Sequence, residues 1–188
     1  MGSGLESVTF EDGVDFYNTN GVYGFYNNVF WGCANLSKVT LPNGTPGRFI
    51  IPAGTFGYCS NLRSIEFPPN TGKIEHMAFY RSGLDTLDLT NITWKEPFYL
   101  DGYYTFAACE NLTTVKATGK FRFTGLYQFQ DCTALKTVTF SGSGDDYTEL
   151  NPDIFKRCYE LETVDFFTSR AMVRTTIWTV SSQIVKSS

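Results

Sequence analysis

Five cysteines and a single histidine are the side chains here best suited to thiol or metal chemistry. Cys33, Cys59, Cys109, Cys132 and Cys158 could pair as disulfides, ligate zinc or act as nucleophiles, and His76 could serve as ligand or base. A disulfide framework shows an even count and varied spacings, whereas this count is odd and all five thiols occupy one slot of a recurring phrase. A zinc site needs ligands that converge on one point, and cysteines spread one per repeat do not. A thiol nucleophile needs a base beside it, yet His76 stands in the one copy where Ser82 replaces the cysteine. The cysteines therefore read as small buried apolar residues. Bridges between neighbouring copies, about 5 Å apart, remain an alternative. Asp145, Asp146 and Glu149 offer oxygens to calcium, but without loop-type spacing they read as a solvated turn. No nucleophile elbow, phosphate loop or dinucleotide fingerprint occurs in a fitting context. The expectation is no enzyme, no cofactor and no metal. Four glycosylation-type triplets begin at Asn35, Asn43, Asn91 and Asn111, and two of these belong to the recurring phrase itself.

The phrase is F-x-x-C-x-x-L-x-x-V-x-F. Complete copies open at Phe30, Phe56, Phe106, Phe129 and Phe155, a degenerate one at Phe79, and a half copy is Leu5, Val8, Phe10. Such recurrence every 20–30 residues is the mark of a solenoid. The spacing of three between Phe and Cys predicts a helical turn with both on one face. The spacing of two in V-x-F predicts a strand with both on one side. One unit cannot bury its apolar face alone, so stacked neighbours must do so. Phe49–Pro52, Lys73–Glu75 and residues 118–128, with Phe121, Phe123 and Leu126, read as second short strands across the coil. The predicted fold is a repeat solenoid with a parallel β-sheet on one face, and short helical turns and second strands on the other.

With 188 residues the chain suits one domain. A net charge of −4 argues against a nucleic-acid partner, which needs a basic stripe. No apolar run reaches membrane-spanning length. Residues 1–4 read as an expression scar, residues 5–166 as a solenoid of about seven strand rungs, and residues 167–188 as a cap or the stump of another module. The natural chain then starts within a repeat, as a piece of a longer secreted protein.

The frame resembles the BspA-like leucine-rich repeat family. Phe30-Trp31-Gly32-Cys33-Ala34-Asn35-Leu36 and Phe56-Gly57-Tyr58-Cys59-Ser60-Asn61-Leu62 carry the likeness, as do the preceding Ile74 and Ala78-Phe79, with Pro42 and Pro68 at the strand ends. The likeness spans about residues 5–166. It implies a leucine-rich-repeat fold and an adhesion module at the cell surface or outside the cell, and it supplies no catalytic residues.

Two surfaces suit a partner. On the strand face, Thr40, Glu66, Asp88, Lys116, Thr139 and Asp165 fall between V and F and point outward, with Lys38 just before Val39. The long connection 90–105 carries Trp94, Phe98, Tyr99, Tyr103 and Tyr104, rings of the kind that anchor interfaces. A second ring-rich stretch, Phe16 to Tyr26, either caps the core or binds a partner. The expected partner is a protein, or a glycan, on another cell or matrix, bound by a monomer. The rivals are a carbohydrate-binding module, which wants Trp94, Tyr99 or Tyr103 coplanar and exposed, and a spacer without ligand, which wants those rings buried.

Overall fold

The computed structural model describes residues 3–13, 28–43, 49–93, 98–118, 121–141, 149–151 and 153–166. Among these residues eleven short strands follow one another: β1 (Ser7–Thr9), β2 (Lys38–Thr40), β3 (Phe49–Ile51), β4 (Thr71–Ile74), β5 (Thr86–Asp88), β6 (Phe98–Leu100), β7 (Thr114–Thr118), β8 (Phe121–Phe123), β9 (Thr137–Ser141), β10 (Glu149–Leu150) and β11 (Thr163–Phe166). Every pairing is parallel. The V-x-F strands form the sheets β1-β2 and β5-β7-β9-β11, and the second strands form β3-β4 and β6-β8-β10. Registers join equivalent slots, as in Leu87↔Val115, Val115↔Val138 and Val138↔Val164. Proline is one cause of a short strand, because it brings no N–H to the ladder. β2 stops after three residues before Leu41-Pro42, whereas β7 and β9, with no proline after them, run to five.

The helical turns expected at F-x-x-C do not form: among the described residues there is no helix. The segment is instead a string of reverse turns. Cys132 N–H donates to the Phe129 carbonyl at 3.2 Å and Leu135 N–H to that of Cys132 at 3.1 Å, and other copies repeat the pattern. The remaining amides serve the neighbouring rung. The opening Phe donates to the residue before the next opening Phe, as in Phe79 to Thr105 at 2.8 Å and Phe106 to Gln128 at 2.9 Å. Donors committed sideways are not available for i→i−4 bonds. Two positions per turn reverse the chain through left-handed backbone. One precedes the cysteine slot (Gly32, Tyr58, Arg81, Ala108, Asp131, Arg157), and the other lies two residues before Phe (Asn28, Gly54, Met77, Tyr104, Tyr127). Left-handed residues at single positions make turns, not helices. Phe and Cys still share the interior, as the spacing demanded, by another backbone route.

That interior is one continuous core. The opening phenylalanines stack ring on ring through it: Phe56–Phe79 at 5.3 Å, Phe79–Phe106 at 5.3 Å, Phe106–Phe129 at 5.4 Å and Phe129–Phe155 at 5.7 Å between centroids. Phe30 continues the column to Phe56, and Phe10 closes it edge-on against Phe30. The five thiols are free and buried. Four of them are also donors, which the apolar reading did not foresee. The Sγ of Cys59, Cys109, Cys132 and Cys158 each lie 3.0–3.2 Å from the carbonyl oxygen of the preceding rung's Phe. In the shortened copy Gly83 replaces the missing length. A Cβ there would stand 2.0 Å from the Ser60 carbonyl oxygen, so only glycine lets the chain pass.

Candidate functional site

The registers bring part of the predicted strand-face set into a single row. Asp88, Lys116, Thr139 and Asp165 stand side by side across β5, β7, β9 and β11. Their side chains project outward because their neighbours in the strand face the core. Burial pushes the Asp88 carboxyl up, but the Thr90 hydroxyl and N–H, with the Lys116 ammonium, outweigh it and hold it below the usual range. Thr40 pairs in register with Thr9, and Lys38 with Ser7, on the separate β1-β2 sheet. Glu66 is exposed but belongs to no strand: residues 64–67 pair in no ladder. The predicted face is thus two sheet pieces with an unladdered rung between them. An Arg63–Asp85 ion pair at 3.2 Å lies where the strands begin.

The predicted aromatic loop separates into unlike parts. Trp94 lies outside the described residues. Phe98 and Tyr99 belong to β6, whose register pairs them with Phe121 and Arg122, so that stretch is strand where a connection was expected. Tyr103 is 49% exposed, and its ring lies 5.0 Å from that of His76 at a tilt of 42°. Its N–H donates to His76 Nδ1 at 2.8 Å, which gives the histidine a structural partner. Tyr104 is partly buried and stacks on Tyr127 at 5.2 Å, with the Lys156 ammonium 5.1 Å from the Tyr127 ring. The ring-rich stretch Phe16 to Tyr26, Asp145-Asp146 and the C-terminal cap 167–188 also lie outside the described residues.

A ring cluster that the sequence reading passed over sits on the turn corner. Trp31 and Tyr58 are 39% and 38% exposed, with centroids 4.9 Å apart. Tyr80 completes the group 5.6 Å from Tyr58, and the Arg81 guanidinium lies 5.7 and 5.8 Å from the Tyr58 and Tyr80 rings. Gly57 makes room, since a Cβ there would meet the Trp31 ring at 2.3 Å. The signal was the pair of slots after the opening Phe. They hold Trp31, Tyr58, Tyr80 and Arg81 in the first three full-length or shortened copies, but Ala107 and Ala108 in the next. Among the described residues no group of three His, Cys, Asp or Glu side chains is placed to hold a metal. No helix there is long and apolar enough to cross a membrane.

Parallel strands stacked in register around one core, with leucines at the corner before each strand, define a leucine-rich-repeat-like solenoid. The chain belongs to the BspA type leucine rich repeat family, which it matches in six copies over residues 3–98 and 24–162. It is similar in fold to a leucine-rich repeat protein from Bacteroides ovatus, at 20% identity and a TM-score of 0.60 over 88% of this chain. The chain spans 42% of the length of that protein. No curated protein matches it.

Proposed function

We propose that the chain is a recognition module of a cell surface or secreted protein, which binds a protein partner over its strand face and does no catalysis. The observation that carries this reading is the row Asp88, Lys116, Thr139, Asp165. Two carboxylates, an ammonium and a hydroxyl are held in register on a sheet whose other face is a packed core. A rigid row of charges favours a polar protein surface of complementary pattern, since electrostatic complementarity selects partners and speeds encounter. Family membership supports a repeat-built surface module. The module works as a monomer, without nucleic acid and without membrane insertion.

The carbohydrate reading draws on Trp31, Tyr58 and Tyr80, which present ring faces at one corner. Trp31 and Tyr80 lie within 17° of parallel, but Trp31 and Tyr58, the more exposed pair, are inclined at 55°, a weaker platform for a flat sugar than a coplanar pair. The spacer reading wanted the rings of residues 94–104 covered, and the exposure of Tyr103 speaks against it. An array of extracellular-matrix proteins and glycans tests the choice. A protein hit weakened about tenfold or more by Lys116→Glu, as loss of a close interfacial charge pair would do, supports the strand face. Glycan hits abolished by Trp31→Ala and untouched by Lys116→Glu would overturn it.

A further inference from the structure

Rungs along the strand face are tied at the start of each strand by one recurring bond. Ser37 donates to Glu6, Asp85 to Arg63, Thr113 to Asp85, Lys136 to Thr113 and Glu162 to Lys136, all at 2.9 Å. The series skips one step: Arg63 makes no such bond to Ser37. At the far end of the strands, Phe10 donates to Thr40 at 3.0 Å and Leu89 to Lys116 at 2.8 Å, but Leu41 does not donate to Glu66, nor Phe67 to Asp88. On the turn side the same two rungs are closed. Phe30 donates to Thr55 at 3.0 Å, Gly32 to Gly57 at 2.8 Å, and the Phe30 and Phe56 rings stack at 5.6 Å and 9°. The two rungs are joined at the turn and at the corner, where Asn61 donates to Ala34 at 3.2 Å, and carry no bond between their strand segments. Between them lies a cleft of about 310 Å³, walled by Lys38–Leu41 and Ser64–Phe67. The two rungs that flank it both end in proline, Pro42 and Pro68, so neither brings an N–H there to extend a ladder.

We infer that this cleft takes one extended segment of a partner protein, paired through its main chain to both walls. The inference rests on the proposed recognition role and gives it a place. Backbone groups alternate sides along a strand. Lys38 and Thr40 bond toward β1, so the N–H and C=O of Val39 and Leu41 face the cleft. Arg63 accepts from Asp85, so Ser64 and Glu66 face it from the other wall. Two walls with main-chain donors and acceptors at two-residue spacing are the complement of a polypeptide strand, as in β-strand addition. Val39 lies at the floor of the cleft beside the buried Ile65, Leu41 and Phe67; it is partly exposed, as is Val8 in the end rung, whereas Leu87, Val115, Val138 and Val164 in the same slot are buried. Lys38 and Glu66 stand on opposite walls with opposite charges and no ion pair between them. Lying in register, the guest places an acidic residue beside Lys38, an apolar one over Val39 and Ile65, a basic one beside Glu66, and an apolar one over Leu41 and Phe67.

Hydrogen exchange on the full chain tests this, read residue by residue with and without the peptide acetyl-Ser-Glu-Val-Lys-Val-Ser-amide at millimolar concentration. In the free protein the amides of Val39, Leu41, Ser64 and Glu66 should exchange at least about 100-fold faster than those of Val115 and Val138, because free edges open without unfolding. The peptide should slow those four by about tenfold or more, and the same peptide N-methylated at alternate residues should not. Slow exchange in the free protein would mean a closed cleft and overturn the inference. So would an absence of protection by the peptide, or equal protection by its N-methylated form. Protection that rises with protein concentration alone would make the guest a second copy of this chain and overturn the partner assignment. The two readings fail separately. A matrix-protein hit that Lys116→Glu weakens, together with an unprotected cleft, would leave the strand face standing and remove the slot.

Discussion

Gly32 decides between a helical turn and the reverse turns that the phrase forms. Its φ is +75°, and a Cβ built on it meets nothing within 4 Å, so Gly32→Ala changes backbone energy with no clash. Left-handed backbone costs a residue bearing Cβ roughly 1–2 kcal/mol. Alanine narrows the unfolded ensemble and returns about 0.4–1 kcal/mol. The net is a destabilisation of about 1 kcal/mol, which for a chain of this size lowers Tm by about 2–4 °C. Were residues 30–33 a turn of helix, the same change would stabilise by about 1 kcal/mol. The sign, not the size, carries the test. Urea unfolding followed by far-ultraviolet circular dichroism gives it directly. Gly32→Asn should fall between glycine and alanine, because asparagine tolerates this region. A rise in midpoint for Gly32→Ala would refute the turn geometry.

Four further outcomes follow from the packing and one ion pair. Phe106→Ala removes a fully buried ring from between Phe79 and Phe129; it should cost about 3–5 kcal/mol, while Tyr159→Ala, at a site 75% exposed, should stay within about 0.5 kcal/mol on the same denaturation curve. Cys132→Ser should cost less than Cys132→Val, because the hydroxyl can still donate to the Phe106 carbonyl while extra methyls overpack the slot by about 1–3 kcal/mol. Burial pushes the Cys59 thiol up to about 12 and the Cys132 thiol upward as well, so neither should react with a thiol label until denaturant is added. The hydrogen bond from Arg157 holds the Asp131 carboxyl below the usual range. Its contribution is therefore present above the unfolded pKa, about 3.9, and lost as pH falls through the depressed folded value. The pair is exposed, so its contribution is small, and Asp131→Asn should be slightly less stable than the parent at pH 7, with the gap closing in acid.

Which slots are buried was legible because spacing alone fixes it. Phe, Cys, Leu and the V-x-F pair recur at the same offsets, and their side chains fill one core. The path between them was not legible. A separation of three residues is met equally by a helical turn and by an i→i+3 reverse turn. Most left-handed positions hold Tyr58, Arg81, Ala108, Asp131 and Arg157 rather than glycine. The cysteine's bond to the previous rung was hidden because a small apolar residue and a weak donor look the same in a pattern. Lys116 and Asp165 could be aligned from the frame, but Glu66 could not be seen to stand beside a break. Ile65 and Phe67 fill their slots like any other copy, and the consecutive rungs ending in Pro42 and Pro68 were the sole trace. β6 was masked by its rings, which favour strands and interfaces alike.

Ring-to-ring nuclear Overhauser effects in protein labelled only at phenylalanine test the column of stacked rungs most directly. Cross-peaks should link Phe79 to Phe106 and Phe106 to Phe129, whose centroids lie 5.3 and 5.4 Å apart. Should Phe106 instead show contacts to neither, with both neighbours assigned, the repeats do not stack in phase and the account of the fold is wrong.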